Sequence, residues 1–148
     1  MHRGLAWFGA ATVAVMAGAL AATAAHAETI TLVAEISGAA QVPPNPSKGT
    51  GTVTSTYDTA TRVLAWKGIY SGLTGQPSAA HFHGPADTKM NAPVVVNFEK
   101  FASPFEGSAT LTEAQAADLL AGRWYVNIHT PSYPGGELRG QVLVTKPK

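Results

Sequence analysis

Between residues 29 and 145, apolar residues recur at every second position in short runs, and segments rich in proline and glycine cut those runs apart. A period of two is the mark of a strand with one buried face, because successive side chains point to opposite sides of the pleat. Residues 29–36 set the pattern. Ile30, Leu32, Ala34 and Ile36 share one face, and Thr29, Thr31, Val33 and Glu35 share the other. Residues 37–48 carry Pro43, Pro44 and Pro46, which lack the amide proton a sheet ladder needs, so the strand cannot continue there. Residues 49–57 and 62–70 are predicted to form a hairpin across Asp58-Thr59-Ala60-Thr61. Further strands are expected near residues 78–83, 93–98, 106–111, 124–130 and 137–145. One helix interrupts them. Thr112-Glu113-Ala114-Gln115 reads as a capping box, Ala116 to Ala121 suit a helix, and Gly122 stands where a helix ends. The expected fold is an antiparallel Greek-key β-sandwich, immunoglobulin-like or superoxide-dismutase-like, with one short helix.

Composition narrows the function classes. Hydrophobic residues make up 45% of the chain and charged ones 13%, which supplies a core and argues against disorder. The formal charge of +1 creates no field suited to nucleic acid or to an anionic membrane. The absence of cysteine excludes a disulfide framework, a thiolate metal site and a thiol nucleophile. Residues 1–27 form a separate unit. His2 and Arg3 open it, an apolar run follows from Leu5 to about Ala22, and Ala25-His26-Ala27 supplies the small-x-small pattern of a cleavage site. The run is nearly long enough to be a membrane anchor, but its Ala and Gly content and that triplet favour a cleaved export signal. The expected mature domain is residues 28–148, periplasmic or secreted, with no stable membrane anchor after cleavage.

Cleavage leaves three of the five histidines: His81, His83 and His129. In a strand, His81 and His83 project to one side and Phe82 to the other. Residues 124–129 alternate in the same way, with Trp124, Val126 and Ile128 on the core face and Tyr125, Asn127 and His129 opposite. All three imidazoles thus point away from the core. Scattered surface histidines are the plain alternative, and a shared metal site is the expectation that uses all three. A thiolate-free imidazole set suits Cu(II), Zn(II) or Ni(II), and the affinity order favours copper, with zinc as the alternative. Met90, in the loop after His83, is a candidate auxiliary thioether ligand, or else a loop residue packing on the rim.

Blocks along the mature chain resemble one known family. They are Ala34-Glu35-Ile36-Ser37-Gly38-Ala39-Ala40-Gln41-Val42-Pro43-Pro44, Gly49-Thr50-Gly51 and Ala80-His81-Phe82-His83-Gly84-Pro85, then the segments 124–130 and 135–141. Together they are similar to the CHRD domain, named from its occurrence in chordin, with Gln41 standing where an acidic residue is frequent. The resemblance implies an all-β, immunoglobulin-like sandwich found in secreted proteins, in bacteria usually small exported ones. Its His-x-His, Asn-x-His and Gly-Glu-x-Arg-Gly positions fall on His81, His83, Asn127, His129, Glu137 and Arg139. Around a metal, Glu137, Asn127, Tyr125 and Arg139 are the candidates to hold the ligands in place. Glu137 would accept a hydrogen bond from a ligand imidazole, or would instead form an ion pair or backbone clamp beside a Gly135-Gly136 turn. A His-x-His-plus-His arrangement also holds copper in the copper-zinc superoxide dismutases, likewise Greek-key β-proteins.

The leading expectation is an exported copper-binding protein for buffering, delivery or electron exchange. The alternative is an extracytoplasmic module that binds another exported protein through the Pro43-Pro44 and Tyr133 loops. A dismutase-like metalloenzyme ranks third, because the chain has no further histidine cluster for a bridging zinc and no convincing acid–base pair.

Overall fold

The computed structural model describes residues 26–145, so the proposed export segment falls, apart from residues 26 and 27, outside the described residues. Nine strands form in the order β1 (Thr29–Ser37), β2 (Thr50–Asp58), β3 (Val63–Ser71), β4 (Ala79–His83), β5 (Val94–Asn97), β6 (Phe105–Thr110), β7 (Tyr125–Thr130), β8 (Tyr133–Gln141) and β9 (Leu143–Val144). One helix, α1 (Glu113–Leu120), lies between β6 and β7. All pairings are antiparallel, and across the sheet the strands run β5-β4-β7-β8-β1-β2-β3-β6, with β9 beside β1. Among the described residues no helix is long and apolar enough to cross a membrane.

The alternation seen in the sequence explains how this sheet closes. Leu32, Ala34 and Ile36 of β1 are buried on one face together with Val53, Leu64, Phe82, Val126, Ile128 and Leu138. Burying that face folds the two halves of the sheet together. Trp66 of β3 meets Phe82 of β4 edge to face at 5.3 Å, and it stacks on Phe98 at 4.8 Å. Edge-to-face and offset contacts of this kind suit the aromatic quadrupole. The result is an all-β sandwich whose sheet is nearly closed on itself.

Local chemistry sets the connections. Asp58 accepts hydrogen bonds from the amides of Ala60 and Thr61, which shapes the β2–β3 turn. Thr112 accepts from the Gln115 amide while the Gln115 side chain accepts from the Thr112 amide, so the capping box is complete. Gly122, at φ +71°, ends α1 in the left-handed conformation that glycine adopts without strain.

Two expectations need correction here. The β7–β8 turn is not at Gly135-Gly136 but at Pro131-Ser132, where Thr130 pairs with Tyr133. Both glycines belong to β8. Gly136, at φ +121°, leaves room for two amides: Gln41 Nε2 and Asn127 Nδ2 lie 2.5 and 2.8 Å from where a Cβ would stand. The final strand is also shorter than expected. The ladder of β8 stops at Gln141, the buried Val142 donates its amide to the Trp124 carbonyl, and β9 resumes against β1.

Candidate metal centre

Strands β4, β7 and β8 present the polar side chains to the face opposite the core. Their antiparallel register puts His81 opposite Asn127, His83 opposite Tyr125 and Asn127 opposite Arg139. Ala79 lies opposite His129, which sets that imidazole diagonally from His81. The three imidazoles converge. One ring nitrogen from each lies within 4.8 Å of the others, and His81 Nδ1 is 3.1 Å from His129 Nε2.

The rings are aimed by partners on their far sides. His83 Nδ1 lies 2.9 Å from the Ala92 carbonyl, and His129 Nδ1 lies 2.8 Å from the Pro134 carbonyl. A carbonyl oxygen only accepts, so both rings carry their proton on Nδ1 and turn Nε2 inward. Asn127 Oδ1 sits 2.9 Å from each of those two Nε2 atoms. Backbone carbonyls that hold a histidine tautomer are the usual support for an imidazole ligand.

Burial makes His81 and His83 poor proton acceptors and leaves their lone pairs free. His81 is held down to a pKa of about 4 by burial first, then by the neighbouring His129 and His83. His83 is also pushed below the ordinary histidine value, chiefly by burial, although its bonds to Ala92 and Asn127 work against this. A group of neutral imidazoles with no carboxylate among them can bind a divalent cation without first losing protons.

The histidines do not form an open surface site. His83 is only 8% exposed, and Tyr125 and Asn127, expected on an outward face, are buried. The cause is the loop over residues 84–92. Arg139 donates to Asn91 Oδ1 and to the carbonyls of Asp87 and Met90, and so pins that loop across the sheet. Its guanidinium lies 3.6 Å from the centre of the Tyr125 ring. Tyr125 in turn stacks parallel on His83, with ring centroids 4.8 Å apart, while its hydroxyl contacts Ala92. Arg139, Tyr125 and His83 thus form one stack. Cation–π contacts withdrawn from water are worth about 2 kcal/mol.

Glu137 does not hold a ligand imidazole, and it makes no ion pair with Arg139. Its carboxylate accepts hydrogen bonds from Ser47 Oγ, Thr130 Oγ1, Thr74 Oγ1 and the Thr74 amide, at 2.6 to 2.9 Å. Burial raises its pKa, but those bonds outweigh it and hold the group below the ordinary carboxylate range. The backbone clamp is nearer the outcome: Glu137 ties the segments around Ser47 and Thr74 to the β7–β8 end. Met90 is 60% exposed, and the contact it makes with this region is through its carbonyl, which accepts from Arg139. The sequence does not identify Ala92 and Pro134, since a carbonyl carries no side-chain signal. Gln41 is 6% exposed, and its Nε2 has no hydrogen-bond partner although it shares the face of Gly136 with Asn127.

Comparison with known proteins gives one match. A family model for the CHRD domain matches residues 32–142, three quarters of the chain, and includes every side chain described in this centre. No curated protein and no solved structure matches the chain.

Proposed function

The chain belongs to the CHRD family, and on that premise we propose that it is an exported copper-binding protein that uses His81, His83 and His129 as ligands. The observation that carries this reading is the convergence of three inward-facing ring nitrogens within 4.8 Å, in a group with no thiolate and no carboxylate. Imidazole-only sites suit copper and zinc, and copper binds nitrogen ligands more tightly than zinc does. Buffering, delivery or electron exchange outside the cytoplasm follows from such a site better than catalysis does. Arg139 and Tyr125 hold the ligands in place.

Native mass spectrometry of the untagged protein, titrated with Cu(II) and then with Zn(II), tests the reading. One copper per chain, retained against an equal amount of zinc, is expected. A preference for zinc would change the metal. No uptake of either metal would move the interaction-module reading ahead, which the exposure of Pro43 and Pro44 favours.

A further inference from the structure

Asn127 occupies a place that its neighbours do not explain as a hydrogen-bond partner. With Nδ1 of His83 and of His129 each committed to a carbonyl, the neutral form of either ring presents Nε2 as a bare lone pair. Those two lone pairs and Asn127 Oδ1, another acceptor, face one another at 2.9 Å. His81 Nδ1 adds a further ring nitrogen, 3.1 Å from His129 Nε2. Two ring lone pairs and an amide oxygen therefore crowd together with a third ring nitrogen beside them, and such an arrangement suits a cation.

The spacing fits one coordination polygon. Metal–nitrogen bonds of about 2.0–2.1 Å, at right angles to one another, separate adjacent ligand atoms by roughly 2.9 Å. The path His81 Nδ1, His129 Nε2, Asn127 Oδ1, His83 Nε2 has successive steps of 3.1, 2.9 and 2.9 Å. Each of those steps is close to the side length of such a square. The fold also fixes Asn127 where it stands. It is buried on β7, between His81 of β4 and Arg139 of β8, and Gly136 supplies the space for its amide.

Resting on the copper-binding reading above, we propose that the Asn127 carboxamide oxygen is a fourth metal ligand, which completes a square set of three nitrogens and one oxygen that selects Cu(II). A tetragonal set of hard and borderline donors suits Cu(II), whereas Cu(I) prefers thiolates and thioethers. The competing role for Asn127 is structural: with its amide turned, the NH2 group donates to the two Nε2 atoms and no oxygen reaches the metal.

Substitution separates the two roles, because Asn127→Asp keeps the oxygen and removes the donor, while Asn127→Leu removes both. Cu(II) alone is titrated into the purified protein and each variant, with affinity read by calorimetry and ligands by electron paramagnetic resonance. The Asp variant is expected to bind at least as tightly as the parent, with the same nitrogen count. The Leu variant is expected to lose on the order of a hundredfold or more, beyond what a supporting residue costs, with an altered copper hyperfine splitting. If Asp weakens binding as much as Leu does, or if neither changes it, Asn127 is not a ligand. Should Asn127→Leu fail to fold, parent protein labelled with 13C-asparagine replaces it, and electron–nuclear double resonance should detect 13C coupled to the copper. No such coupling overturns the proposal. A parent that takes three nitrogens and no amide oxygen sinks this inference and leaves the copper reading standing. A parent that takes no copper sinks both.

Discussion

Two polar clusters lie on neighbouring strands of the same sheet, and they are built in opposite ways. Around Glu137 on β8, one carboxylate is met by four donors, so every strong demand is satisfied from within the chain. Around His129 on β7, the Nε2 lone pairs of His83 and His129 face the Asn127 oxygen with no donor between them. A buried polar group with its partners in place stabilises a fold. A group of acceptors left without donors is prepared for something from outside. The comparison teaches that burial alone does not separate structure from function, whereas the balance of donors and acceptors does.

If that contrast holds, the largest effect on folding should come from Glu137. Replacing it with Ala strands three hydroxyls and an amide, and should cost on the order of 3 kcal/mol or more of unfolding free energy. Urea denaturation would register the loss, while the fraction that remains folded should bind copper as the parent does. A metal defect without a stability defect would reverse the roles assigned to the two clusters.

Arg139 links the clusters to the loop, and its effect should be intermediate. Arg139→Met keeps bulk but abandons the three acceptors of the 84–92 loop and the Tyr125 stack. Copper affinity should fall about ten- to a hundredfold, the range typical of residues that support ligands. Calorimetry checks this, and an unchanged affinity would mean that the loop needs no pin.

Acid should also act on the two clusters differently. His81 takes up a proton at about 4 in the folded chain but near 6.5 when unfolded, so the unfolded state binds the proton first as pH falls. This contribution to stability is complete above about pH 6.5 and is lost as pH falls through 4. His81→Asn should flatten the fall of melting temperature across that window in metal-free protein. Glu137, whose hydrogen bonds hold its folded value below the ordinary carboxylate range, loses its contribution only at lower pH. An identical pH dependence in parent and variant would count against the buried, neutral imidazole. For the loaded protein, the same depression means that protons compete with copper at His81 at lower pH than they would at a free imidazole.

Met90→Leu should produce the smallest effect. Its side chain is largely in solvent, so Cu(II) affinity should stay within a few-fold, and a tenfold loss would restore the thioether as an auxiliary ligand.

Much of this was legible in the sequence, for a physical reason. Strand alternation and the capping box are local patterns: Leu32, Ala34 and Ile36 lie where period two puts them, and Thr112 caps α1 through a residue three positions away. The shared face of His81 and His83 is equally local, and strand pairing then carried His129 to them. What sequence periodicity could not anticipate depends on contacts about fifty residues apart. Arg139 covers the Tyr125–Asn127 face by binding backbone carbonyls near Met90, and carbonyls have no signature. The sequence leaves the role of Glu137 open for the same reason, because its hydroxyl partners Ser47 and Thr74 come from distant segments. The displaced β7–β8 turn followed from reading Gly135-Gly136 as a loop, when Gly136 makes room for Asn127 and Gln41 inside the sheet.

The central claim, that the three histidines act as one site, is tested most directly at His129, which alone comes from β7. Calorimetric titration of Cu(II) into the parent and into His129→Ala is the measurement, with circular dichroism to confirm that the variant is folded. The parent should bind one ion per chain. The variant, left with two imidazoles, should bind more than about a hundredfold more weakly, beyond what loss of a supporting residue costs. Equal affinity in the two proteins would contradict the account.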